Sequence, residues 1–111
     1  MTALPAKGGV SPAVFSMDES GYPTEKELTK IREWDPLDVD GLIDYVESLW
    51  RYTDWGFIRR GDRLTLHTGG WSGNEDIIGA LESTLFWQLS WEKSTRGGHY
   101  WFKIYRVIKW R

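Results

Sequence analysis

His67, Arg96 and His99 stand beside two glycine turns, and it is there that the chain has residue types able to do chemistry. The first turn, Gly69-Gly70-Trp71-Ser72-Gly73-Asn74-Glu75, combines three glycines, an aromatic ring and a helix-start signal. Glycine opens backbone angles closed to other residues and lets a ligand approach the main chain, and a helix starting here points its positive end into the loop. A phosphate or a carboxylate is the fitting guest. The second turn, Arg96-Gly97-Gly98-His99-Tyr100-Trp101, adds a guanidinium and aromatics suited to an anion or to an acidic partner surface. The candidate binding set is therefore Gly69, Gly70, Trp71, Ser72, Asn74, His67, Arg96 and His99. Against it, the first loop lacks the lysine of a P-loop and the G-x-G-x-x-G spacing of a dinucleotide site. Ser72-x-x-Glu75 also has the form of a capping box, so the loop reads equally as a corner that launches a helix.

The two histidines meet across a sheet if their hairpins are neighbours. With Glu75 or Glu92 they would then make an acid–base pair or a metal site, and a phosphate-handling hydrolase on His67, Glu75 and His99 is the enzymatic alternative. Their spacing carries no metal or catalytic signature, so no catalytic residue, metal or cofactor is assigned and a non-enzymatic role leads. A third reading rests on basic and aromatic interleaving, a theme of single-stranded nucleic-acid binding. Lys103, Arg106, Lys109 and Arg111 run with Trp101, Tyr105 and Trp110, while Arg59, Arg60 and Arg63 cluster at an earlier turn.

Charge separates along the chain. Glu25, Glu27, Glu33, Asp35, Asp38, Asp40, Asp44 and Glu47 concentrate acid in one third of it, and the net charge is −2, which argues against a general electrostatic grip on nucleic acid or anionic membrane. Cysteine is absent, excluding disulfides and thiolate chemistry. No signal peptide is visible, and no run approaches the ~18 apolar residues of a membrane span, so a cytoplasmic location is expected. With 8 tryptophans among 111 residues, some rings should remain at the surface. Trp50, Trp87 and Leu89 are expected in the core; Trp71, Trp101 and Trp110 are the surface candidates.

The elements that must position these residues follow from pattern. Residues 1–22 mix glycine, proline and small residues without periodicity and read as a flexible or extended arm; residues 23–111 form one domain. Thr24-x-x-Glu27 is a capping box for a helix to about Glu33. Asp35-Pro36 predicts the start of a second helix, whose stripe is Val39, Leu42, Ile43, Val46, Leu49 and Trp50. Asp54–Arg60 and Arg63–Thr68 flank Gly61-Asp62 as a hairpin. A helix follows Ser72. The period of two from Leu85, through Trp87 and Leu89 to Trp91, predicts a strand, and His99 to about Val107 its return partner. The order ααββαββ implies an α+β two-layer domain, a four-stranded antiparallel sheet with helices on one face.

The loop Gly69 to Glu75, Phe86-Trp87, Trp91-Glu92 and the hairpin Arg96-Gly97-Gly98-His99-Tyr100 together resemble a family of small bacteriophage and prophage proteins over roughly Thr24 to Ile104. The resemblance implies a phage origin and a host-cell setting, and it brings no reaction or residue role with it. The expected function is a small accessory protein that binds a host macromolecule or a small anionic ligand through the face bearing the two glycine turns. A host protein is the first expected partner, a small anion the second and nucleic acid the third.

Overall fold

The structure is a computed structural model and describes residues 21–107. The expected arm lies outside the described residues except for its last two, as does Trp110. Helix α1 spans Glu25–Arg32 and opens on the expected capping box: Thr24 N donates to Glu27 Oε1 at 2.8 Å and Glu27 N to Thr24 Oγ1 at 3.1 Å. Its buried stripe is Leu28 and Ile31.

Helix α2, Val39–Leu49, starts three residues later than Asp35-Pro36 suggests. Asp35 instead closes a small turn, its Oδ1 accepting from Leu37 N at 3.0 Å, and Asp38 becomes the N-cap by accepting from Gly41 N at 3.1 Å. Two aspartates competed for the cap, and the one that left Pro36 in the turn prevailed. The predicted apolar stripe of α2 is buried throughout.

A single helical turn, α3 (Thr53–Gly56), replaces the first half of the expected first strand. Tyr52 adopts a left-handed backbone with φ 71°, and its carbonyl accepts from Gly56 N at 2.6 Å. Strands β1 (Phe57–Arg60) and β2 (Arg63–His67) then form the hairpin.

Helix α4 (Ser72–Leu81) corrects a third expectation. Trp71 occupies the N-cap position with no side-chain cap, Ser72 is already helical, and no capping box forms. Ser72 Oγ is instead 2.9 Å from the Tyr22 hydroxyl, and Glu75 Oε2 accepts from Thr68 Oγ1 at 3.4 Å. Helix α5 (Leu85–Ser90) corrects a fourth: this segment is not a strand. Thr84 caps it by accepting from Trp87 N at 3.2 Å, and Phe86 and Ser90, one helical turn apart, face the core. Leu89, expected in the core, is 41% exposed, because the helical period of 3.6 turns Phe86 and Ser90 inward and leaves Leu89 off that face.

Strands β3 (Trp91–Thr95) and β4 (His99–Lys103) complete an antiparallel sheet in the order β1-β2-β4-β3. The fold is α+β, with five helices among the described residues where three were expected. Phe57, Leu64, Leu66 and Phe102 form the inner face against α2, α4 and α5; Phe86 stacks on Phe102 at 5.3 Å, and Trp50 meets Phe57 edge-on at 6.3 Å. No helix among the described residues is long and apolar enough to cross a membrane.

Candidate functional site

The two glycine turns lie side by side at one end of the sheet, because β2 and β4 are neighbours. Thr68 N donates to the Gly98 carbonyl at 2.9 Å. Gly97 and Gly98 have φ of 98° and 82°, and a methyl group on Gly98 would overlap the Thr68 hydroxyl, so the approach of the turns requires glycine.

Much of the first loop is committed to holding itself. Gly70 N donates to Thr68 Oγ1 at 3.3 Å and Trp71 N to Thr68 O at 3.2 Å, so two amides expected for an anion turn inward. Asn74 is fully buried. Its Oδ1 accepts from Arg51 N at 2.9 Å, and its Nδ2 donates to Arg51 O at 2.9 Å and to Thr68 O at 3.2 Å, tying α4 to the segment after α2. Trp71 is half-buried against Tyr22, with ring centroids 4.8 Å apart, beneath the Arg51 guanidinium at 4.0 Å. A side chain at Gly73 would collide with that ring. Trp71, Ser72 and Asn74 are thus engaged within the fold, while Arg96 stands exposed at the second turn.

The other half of the site is the outer face of the sheet. Strand alternation puts His67, Thr65 and Arg63 of β2 on the face opposite Leu64 and Leu66, and the register sets His99, Trp101 and Lys103 of β4 directly across from them. The histidines meet as expected: their Nδ1 atoms are 2.7 Å apart and their rings 4.9 Å, edge to face. One Nδ1 must carry the proton and the other accept it. Burial, then the charge of His99, pushes the His67 titration below its ordinary value.

Trp101 sits half-exposed beside this pair, 6.2 Å from His67 and 6.3 Å from His99, with Lys93 Nζ 4.7 Å above its ring. Arg63 pairs with Glu92 at 2.8 Å, and Arg60 and Lys103 stand exposed on the same face. This outer face thus carries four cations, of which Lys93 lies over the central aromatic. Glu75 is on the opposite side of the sheet, where its charge, after burial and Glu82, helps raise the Tyr100 titration. His67, Glu75 and His99 do not assemble into one pocket. Among the described residues no cluster of three or more His, Asp or Glu can hold a metal ion.

Two aromatic stacks join residues that no motif links. Tyr52 and Trp55 stack at 5.2 Å, both exposed, against the Gly69 backbone. Trp34 and Tyr45 stack at 5.2 Å between α1 and α2. Neither pair has a telling spacing; each depends on how loops and helices dock. No family model matches the chain, and neither a curated protein nor a solved structure matches it.

Proposed function

We propose that the protein is a non-enzymatic binding module that holds an anionic, ring-bearing ligand, a single strand of nucleic acid, on the open face of its sheet. The observation that carries this reading is Trp101, half-exposed at the centre of a sheet face that no described helix covers, with Lys93 over its ring and Arg63, Lys103 and Arg60 on the same face. An aromatic on such a face stacks a base, and cations around it track the phosphates. The acidic residues of α1 and α2 are segregated from this face, which supports one-sided approach of a polyanion despite the net charge of −2. The His67–His99 pair and the exposed Arg96 turn extend the same face toward the glycine loops.

The test is fluorescence anisotropy of a labelled oligothymidylate at low and moderate salt. Binding should weaken with salt at a log–log slope of about −2 to −3, the expectation for three or four phosphates on a single strand. Trp101→Ala should weaken it roughly tenfold or more at unchanged unfolding midpoint, base–aromatic stacking being worth ~1–3 kcal/mol. Absence of binding at low salt removes the reading.

A host-protein partner in a phage setting is the second reading. The exposed Tyr52–Trp55 stack favours it, since Tyr and Trp dominate interface hot spots, and Tyr52 holds a backbone conformation that costs stability outside glycine. Tyr52→Ala and Trp55→Ala should abolish a specific partner's binding and leave oligonucleotide binding intact; loss of both together would count against a separate protein-binding surface.

A further inference from the structure

Between α1 and α2 runs a groove of about 990 Å³, on which Trp34, Tyr45, Glu27, Glu33, Asp35 and Asp38 converge. Its floor is the Trp34–Tyr45 stack, tilted 26° between ring planes. Trp34 is pinned by its Nε1, which donates to Asp38 O at 3.0 Å and lies 3.3 Å from Asp38 Oδ2. A cation already lies on these rings: Lys30 Nζ is 4.6 Å from the Tyr45 centroid and 5.6 Å from that of Trp34.

Glu27 supplies an independent observation. The residue is 5% exposed, Oε1 is taken by Thr24 N, and Oε2 is buried with no hydrogen-bond partner among the described residues. A buried carboxylate oxygen without a donor is costly, and buried polar groups are normally satisfied. Stacked aromatics, four carboxylates and an acceptor lacking a donor share one ligand chemistry, an alkylammonium. A monoamine would merely exchange with Lys30. A linear di- or polyamine gains more, because one ammonium replaces Lys30 over the rings while another lies among Glu33, Asp35 and Asp38.

We infer that the α1–α2 groove is a binding site for a linear polyamine, with Lys30 as the internal ammonium that the ligand displaces. The site is remote in sequence and in charge from the basic sheet face, and it stands or falls separately from the proposed function.

The test is calorimetric titration of the full chain with spermidine and, in parallel, with butylamine. Spermidine should bind at one site and butylamine more weakly. Lys30→Met should tighten spermidine roughly threefold or more by vacating the rings, whereas Lys26→Met, which removes an equal charge from the same groove, should have a clearly smaller effect. Trp34→Leu, and Glu27→Gln, which keeps an oxygen for the Thr24 cap, should each weaken binding. Equal effects of Lys30→Met and Lys26→Met would reduce the groove to diffuse electrostatics and overturn the inference, as would absence of spermidine binding in both wild type and Lys30→Met.

Discussion

Thr68 and Gly98 join the two glycine turns: the Thr68 amide donates to the Gly98 carbonyl at 2.9 Å, and a β-carbon at Gly98 would overlap the Thr68 hydroxyl. This relationship sets β2 beside β4 at their loop ends and brings His67 into register with His99. Gly98→Ala should therefore destabilise the protein by about 2 kcal/mol or more, adding overlap with Thr68 to a methyl at positive φ. A chemical-denaturation midpoint checks this. Gly61, with positive φ but open space around it, should cost less when replaced by alanine.

Asn74 is a staple, and its loss should be read in stability. Asn74→Ala removes three buried or part-buried hydrogen bonds to the Arg51 and Thr68 backbone and opens a gap between α4 and the segment after α2, for an expected loss of about 2–4 kcal/mol. Oligonucleotide affinity of the fraction that remains folded should be unchanged. A selective loss of binding at full stability would assign Asn74 to the ligand instead.

Helix α5 is the clearest test of local structure. Phe86→Ala should cost about 3–5 kcal/mol, because the ring is buried against Phe102, whereas exposed Leu89→Gln should stay within about 0.5 kcal/mol. If this segment were the strand its alternation suggests, Leu89 would be a core position and Phe86 would face away from the core, so the order of the two costs would reverse.

That segment also marks the limit of what the sequence makes legible. Leu85, Trp87, Leu89 and Trp91 alternate cleanly, but Phe86 and Ser90 lie one helical turn apart, Thr84 offers a cap, and tertiary contact with β4 decides the outcome. The capping box of α1, the stripe of α2 and the Gly61-Asp62 hairpin were readable because each is a local agreement of cap, period and turn. Ser72-x-x-Glu75 fits a capping motif equally well, yet its side chains are drawn off by Tyr22 and Thr68, partners far away in sequence or outside the motif. For the site, the meeting of His67 with His99 was foreseeable once the hairpins were adjacent. The engagement of Trp71 and Asn74 within the fold, and the place of Lys93 over Trp101, depend on packing and register that no spacing encodes.

Stability should depend on pH through the histidine pair. Burial and His99 depress the folded titration of His67 below its ordinary value of 6.5, so the unfolded chain takes up the proton more readily. The contribution is complete above about pH 6.5 and is lost as pH falls from there through the folded value, at a slope of at most about 1.4 kcal/mol per pH unit for one proton. Denaturation midpoints between pH 7.5 and 5 should fall in the wild type and fall less in His67→Gln. An equally steep fall in both would place the proton uptake elsewhere.

The most direct measurement of the open-face account is a titration of isotope-labelled protein with a short oligothymidylate, followed by amide and indole chemical shifts. The account predicts shifts concentrated at Lys93, His99, Trp101 and Lys103 and at Arg63 to His67, with the Trp101 indole among the largest and the Trp34 indole unmoved. Shifts confined to the helices, or none at low salt, would contradict it.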